Sequence, residues 1–197
     1  MNTFQSKIEK EAIEKMPIRA FEGKTYTIDS RKKVLQILPK LRQANVLGFD
    51  TETRPVFKKY QSNQVALLQL SGENEAFLFR LNKIGLPDEL IEILSNPKII
   101  KSGVALRDDI KDLRKLNDFA PSGFAELQKI VNRYGIEDAG LKKLTANILG
   151  FRISKSEQLS NWERNRLSEK QKKYAATDAW VGYLIYKKLQ DNNPTLL

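Results

Sequence analysis

The sequence contains neither cysteine nor histidine. The absence of cysteine excludes disulfides, thiolate nucleophiles, iron–sulfur clusters and zinc fingers. The absence of histidine excludes Ser-His-Asp and Cys-His hydrolases, HExxH metalloproteases and imidazole-ligated metal sites. Any bound metal must therefore have oxygen ligands, which favours Mg²⁺ or Mn²⁺ over zinc or copper. A general acid or base must be a carboxylate, a lysine, a tyrosine or water at a metal.

The sequence also lacks long apolar runs. Residues 65–68 are a typical apolar stretch and are far too short to cross a bilayer. Residues 1–16 are highly charged and contain no apolar segment of the kind that a secretory signal needs, which predicts a cytoplasmic protein. A chain of 197 residues, 41% hydrophobic and 29% charged, is typical of one soluble globular domain.

Basic residues outnumber acidic ones by 34 to 24, which gives a formal net charge of +10. This balance favours a polyanionic partner, either nucleic acid or an anionic membrane. A membrane is disfavoured because no basic amphipathic helix with exposed aromatics is evident.

Apolar periodicity predicts an α/β fold in which a mixed central sheet is flanked by helices. We expect strands at 19–28, 46–52, 64–71, 75–81 and 98–104, with the third and fourth forming a hairpin. Helices are expected at 5–16, 87–94, 124–134, 138–149 and 168–190, and around Leu106 to Leu116. A further helix beginning after residue 30 places Val34, Leu35, Leu38 and Leu41 on one face. We predict an N-terminal extension at 1–30 and one domain at 31–197.

The first acidic motif is Asp50-x-Glu52 at the end of an apolar strand. Side chains two apart on a strand point to the same face, so these carboxylates should project together. Their repulsion would be relieved most simply by a cation. For an isolated pair, two solvated acids at a fraying strand end is the favoured alternative.

Two further motifs carry acids. Asp108 and Asp109 begin a helix, where favourable interaction with the helix dipole is a sufficient explanation for either. Tyr174 and Asp178 lie four apart on the long C-terminal helix, so they share a face. Taken alone, this pair is better explained by a surface acid beside a half-buried tyrosine. The nearby lysines of this helix form either a solvated face or a guide for a phosphate backbone.

In combination and in this order, the motifs resemble the DEDDy superfamily of 3′-to-5′ exonucleases, especially ribonuclease D and Werner-type exonuclease domains. Supporting segments match the family's second strand, its second motif and its third motif: 64–70, 101–104, 160–162 and 174–179. The resemblance runs from about residue 46 to residue 189. It implies a ribonuclease H-like exonuclease fold.

The resemblance also implies a site. Metal ligands would be Asp50, Glu52, Asp109 and Asp178, and spacing from the second motif favours Asp109 over Asp108. Asp50 would bridge two Mg²⁺ or Mn²⁺ ions, and Tyr174 would orient the attacking water. The expected substrate is nucleic acid with a 3′ end, DNA or RNA, and the products are nucleoside 5′-monophosphates.

The main alternative is a non-catalytic nucleic-acid-binding module that retains the exonuclease fold. For Trp162, a core position is favoured over stacking on a base. For Leu68, a core position is favoured over a contact to the terminal nucleotide. Gln69 is a candidate contact to the terminal nucleotide. Arg54, Lys58 and Lys59 are candidate contacts to the nucleic-acid backbone.

Overall fold

The α/β architecture is built around one mixed sheet. A computed structural model describes residues 4–55 and 63–196; Lys58 and Lys59 lie outside these ranges. The strands of the described residues are β1 (Lys24–Ile28), β2 (Val46–Thr53), β3 (Val65–Ser71), β4 (Glu75–Phe79), β5 (Ile100–Gly103) and β6 (Phe124–Glu126). The helices are α1 (Lys10–Lys15), α2 (Arg31–Arg42), α3 (Leu81–Ile84), α4 (Asp88–Leu94), α5 (Leu106–Arg114), α6 (Leu127–Asn132), α7 (Leu141–Leu144) and α8 (Glu169–Asn192). Short π and 3₁₀ turns follow α7 and α8, at Thr145–Leu149 and Pro194–Leu196.

The six strands lie in the order β1-β4-β3-β2-β5-β6. Strands β2, β3 and β4 are antiparallel neighbours, so the predicted hairpin is confirmed. The remaining pairs, β1 with β4, β2 with β5 and β5 with β6, are parallel. The mixed sheet flanked by helices is therefore confirmed, and β2 lies inside it with a neighbour on each side.

Helix α8 lies very close to β2 because a glycine stands at the crossing. A Cβ atom on Gly48 would lie 1.8 Å from the carbonyl oxygen of Ala179 and 2.7 Å from the amide nitrogen of Tyr183. The contact is extended by Ser102, whose hydroxyl donates to the carbonyl oxygen of Gly182 at 3.1 Å. This close approach brings the middle of α8 over the second half of β2.

The two faces of the sheet have different partners, as strand alternation requires. Phe49, Leu68 and Leu70 belong to the apolar cluster that contains the buried faces of α2 and α4. The opposite face, which includes Gly48 and Leu67, lies against α8 and the segment around Trp162. The buried face of α2 consists of Val34, Ile37, Leu38 and Leu41.

Several sequence expectations are corrected. Leu35 is 52% exposed, because Ile37 completes the buried face of α2 at helical spacing in its place. The helix expected at 124–134 begins with strand β6, whose backbone pairs with β5. The helix expected at 138–149 is α7 followed by the π turn.

Of the strand expected at 19–28, only Lys24–Ile28 forms a strand. This is β1, which forms one edge of the sheet although it lies within the predicted extension. The boundary at residue 30 stays a prediction. Within the described ranges, no helix combines the length and apolarity needed to cross a membrane.

Candidate active site

Three carboxylates meet where α8 crosses the end of β2. Asp50 and Glu52 project from β2 towards α8, and Asp178 projects from the buried side of α8. One carboxylate oxygen from each of the three lies within 4.8 Å of the others. The close approach at Gly48 permits this meeting, because Asp178 directly precedes Ala179 on α8.

Asp109, on α5, lies outside this group of three, but its charge acts on Asp50 and Glu52. Strand alternation directs Thr51 away from the side chains of Asp50 and Glu52, and its hydroxyl donates to the Oδ1 atom of Asp109 at 2.5 Å. The neighbouring Asp108 is exposed. Of the two aspartates, Asp109 is the one whose charge raises the pKa of Asp50 and of Glu52.

The start of α5 is fixed by a side chain that the sequence motifs do not include. Glu126, at the end of β6, accepts hydrogen bonds from the backbone amides of Ala105 and Leu106 at 3.1 and 2.8 Å. Ala105 has a φ of 60°, a left-handed conformation that an alanine adopts only when its surroundings impose it. Glu126 thereby sets the direction in which α5 presents Asp109.

The crowded acids strongly disfavour full ionisation. Burial raises the pKa of Asp50 well above its usual value, and the charges of Asp178, Glu52 and Asp109 raise it further. For Glu52, burial and the charges of Asp178 and Asp109 raise the pKa to about 9. Burial also raises the pKa of Asp178 to about 7 and that of Asp109 to about 6. A divalent cation at this position would reverse these shifts.

Tyr174 lies one helical turn before Asp178. Burial, followed by the charges of Asp178 and Glu52, raises the pKa of its phenol, so the hydroxyl keeps its proton and remains a donor. The ring lies against Trp162, with the centroids 5.9 Å apart. Trp162 is fully buried, so the expectation that it belongs to the core is confirmed.

The donor set fits hard divalent cations. Every side-chain ligand that the cluster offers is a carboxylate oxygen, the type that Mg²⁺ and Mn²⁺ prefer. No ion pair within the described part of the chain neutralises these acids. A hydrogen bond from Tyr174 and then the charge of Lys155 lower the pKa of Asp178, and together they only partly offset burial.

Gln69 lies directly across the β2–β3 ladder from Asp50. Its side chain is fully buried, and neither its oxygen nor its nitrogen has a hydrogen-bond partner among the described residues. The expected contact to a nucleotide is therefore wrong in this structure, because the side chain is closed to solvent. Leu68 is also fully buried, as expected of a core residue. Arg54 is exposed and forms an ion pair with Glu163 at 3.3 Å.

A family model for 3′–5′ exonucleases matches residues 26–193. The chain belongs to the 3′–5′ exonuclease family. Among its relatives is the mouse bifunctional 3′–5′ exonuclease/ATP-dependent helicase WRN, which is 35% identical over 156 residues. That match covers 76% of this chain and 11% of the mouse protein. The chain spans less than two thirds of the curated relatives it matches, from that 11% to 64% of an Arabidopsis thaliana 3′–5′ exonuclease.

Solved structures of exonuclease domains share the fold. The EXO domain of Aedes aegypti Nibbler superposes with a TM-score of 0.79 at 22% identity, over 91% of this chain and 93% of that one. Ribonuclease D from Escherichia coli superposes with a TM-score of 0.77 at 23% identity, over 87% of this chain and 45% of that one. The expected ribonuclease H-like exonuclease fold is confirmed.

Proposed function

We propose that this family member is an active, metal-dependent 3′-to-5′ exonuclease of the DEDDy type. It would hydrolyse phosphodiester bonds of DNA or RNA from the 3′ end and release nucleoside 5′-monophosphates. The observation that carries the proposal is the convergence of Asp50, Glu52 and Asp178, with Asp109 and Tyr174 beside them. A module that only bound nucleic acid would gain nothing from four mutually repelling carboxylates.

Two divalent cations, Mg²⁺ or Mn²⁺, would be held by four acids. These are Asp50, Glu52, Asp109 and Asp178. When bound, such ions neutralise phosphate charge and lower the pKa of water towards neutrality. The protein's part is to keep the carboxylates in position and ionised. The hydrogen bond from Thr51 does this for Asp109, because it lowers a pKa that burial raises.

Hydrolysis adds one water molecule across the terminal phosphodiester. A bond forms between the water oxygen and phosphorus, the bond from phosphorus to the 3′ oxygen breaks, and a proton ends on that 3′ oxygen. Tyr174 remains a phenol and would donate a hydrogen bond to the attacking water, beside the carboxylate of Asp178. No histidine is needed in this scheme.

The charge of the protein suits a nucleic-acid substrate. The net charge of +10 attracts a polyanion. Lys170 and Lys173 line a cavity of about 320 Å³ that also reaches Tyr174, so basic side chains lie next to the reaction centre. The Trypanosoma brucei ribonuclease D, which shares the fold, has been solved in complex with RNA U12. For this chain we propose nucleic acid with a 3′ end, DNA, RNA or both, as the substrate, and a cytoplasmic location.

The test uses a 5′-labelled single-stranded oligonucleotide, as DNA and as RNA, with Mg²⁺, Mn²⁺ or EDTA. The wild type should produce a ladder that shortens from the 3′ end only when the cation is present. Asp50→Asn should abolish the ladder and still bind the oligonucleotide. Binding by the wild type without cleavage of single strands or of a recessed duplex would instead support the non-catalytic module.

A further inference from the structure

Helix α1 lines a cavity that opens onto the reaction centre. The cavity has a volume of about 550 Å³ and is lined at one end by Tyr174 and Asp178. Lys10, Ile13 and Glu14 of α1 contribute to its lining. This volume lies within the range of ligand sites, and the cavity is continuous with the residues that would act on the terminal phosphodiester.

The cavity is bordered by basic side chains. Lys10, Lys142, Lys143 and Lys155 line it, against the acidic side chains of Glu14 and Asp178. Lys143 pairs with Asp138 at 3.1 Å, and Lys10 pairs loosely with Glu14 at 3.7 Å. The pair of Lys10 and Glu14 is highly exposed, so water and salt screen it strongly. Lysines at such a border are suited to contact the phosphates of a strand.

Contacts with the domain hold α1 in place. A helix of six residues is not stable by itself. Here the backbone amide of Ile8 donates to the buried Asp138 at 2.8 Å, while Ile8 and Ile13 pack against Ala146. Asn147 accepts a hydrogen bond from the amide of Gln5 at 3.2 Å and donates one to its carbonyl oxygen at 2.7 Å. The backbone of α1 is therefore held beside the cavity, with the exposed side chain of Lys10 at its border.

We propose that this cavity receives the sugar–phosphate backbone of the single strand whose 3′ end is being hydrolysed, and that α1 forms one wall of this path. The inference rests on the proposed exonuclease function and adds a substrate-binding role for the N-terminal segment. Lys10 and Lys142 are the proposed phosphate contacts, one on each of two elements that line the cavity.

The chain offers a matched pair of charge reversals on α1. Lys10 and Lys15 are both exposed on the same helix, but Lys15 does not line the cavity. Lys10→Glu places a glutamate four residues before Glu14, and Lys15→Glu places one four residues after Glu11, so both create the same i,i+4 repulsion. Lys142→Glu tests the same cavity from α7.

The binding experiment uses a 5′-fluorescein-labelled single-stranded DNA 12-mer in EDTA, titrated at several salt concentrations. We expect Lys10→Glu and Lys142→Glu to weaken binding about tenfold, because each replaces a phosphate contact by repulsion. Each should also reduce the slope of log K against log salt by about 0.7, the value for one contact to a single strand. Lys15→Glu should bind like the wild type, and thermal melts check that all three variants fold.

The outcomes separate this inference from the proposed function. If the wild type shortens the 12-mer from its 3′ end with Mg²⁺ but Lys10→Glu binds as tightly as Lys15→Glu, the role of α1 is wrong and the exonuclease proposal stands. If the wild type binds with the expected dependence on Lys10 but never cleaves, the exonuclease proposal fails. Equal losses in Lys10→Glu and Lys15→Glu would reflect net charge alone and also overturn the inference.

Discussion

Replacing Glu52 by glutamine should stabilise the metal-free protein while weakening its response to divalent cations. Glu52 lies half-buried beside Asp178 and Asp109, and burial together with their charges raises its pKa to about 9 from 4.5. Below about pH 4.5 the side chain is protonated in both the folded and the unfolded protein. As the pH rises towards 9, the unfolded chain releases this proton more readily, so the folded state progressively loses stability.

The size of this loss of stability follows from the raised pKa of Glu52. Neutral pH lies about 2.5 units above the ordinary pKa of 4.5, and each unit corresponds to about 1.4 kcal/mol, so the cost at pH 7 is at most about 3.5 kcal/mol. Glu52→Gln removes the charge but leaves a polar amide at a half-buried position, so we expect a gain of about 1–3 kcal/mol. For a chain of this size the melting temperature should rise by roughly 3–10 °C.

The assay is thermal unfolding of wild type and Glu52→Gln at pH 5, 7 and 9, in EDTA and in Mg²⁺. In EDTA the difference in melting temperature between Glu52→Gln and the wild type should increase as the pH rises. In Mg²⁺ the wild type should gain more than the variant, because losing one carboxylate ligand weakens the cation affinity and so its stabilising effect.

Glu22→Gln is the control, since it makes the same change at an exposed glutamate. It should alter neither the pH dependence nor the response to Mg²⁺. If the variant is less stable than the wild type in EDTA at pH 9, or if Mg²⁺ stabilises both proteins equally, Glu52 neither carries the raised pKa nor contributes to cation binding.

Three further predictions concern the construction of the site. Gly48→Ala should destabilise the protein by at least about 3 kcal/mol in denaturant titrations, because the new methyl group would overlap the backbone of α8. The control is Gly72→Ala, which should destabilise the protein far less, because a Cβ atom at that position meets nothing within 4 Å. Asp109→Asn should slow 3′ shortening on the order of 100-fold, at least as much as losing an outer-shell partner of a metal ligand, and Asp108→Asn should not; equal rates would remove Asp109 from the site. Tyr174→Phe should lower kcat about 10- to 100-fold, the equivalent of one hydrogen bond to a charged group, while calorimetry shows unchanged Mn²⁺ affinity.

Sequence reasoning succeeded where one local rule decides the geometry. Strand alternation places Asp50 and Glu52 on the same face, and helical spacing does the same for Tyr174 and Asp178. The turn at Gly72 similarly permits a hairpin prediction. Each of these relations depends on residues that are close in the sequence, so periodicity alone finds them.

Contacts between segments that are distant in the sequence could not be predicted from periodicity. Strand β6 forms because its backbone pairs with β5. Its three residues are too few to show the alternation of apolar and polar side chains that predicts a strand. The hydrogen bond from Thr51 selects Asp109, and Glu126 orients the start of α5, yet neither contact has a local signal. The position of α1 beside the cavity depends on Asp138, which lies more than a hundred residues away in the sequence.

We propose that the acidic cluster hydrolyses the terminal phosphodiester with divalent cations. The most direct measurement is chromatographic and mass-spectrometric identification of the products released from a 3′-terminally labelled oligonucleotide, with Mg²⁺ and with EDTA. We predict that the label leaves as a nucleoside 5′-monophosphate, only with Mg²⁺ and not with Asp178→Asn. Release of a 3′-monophosphate, or release that persists in EDTA or in Asp178→Asn, would contradict the account.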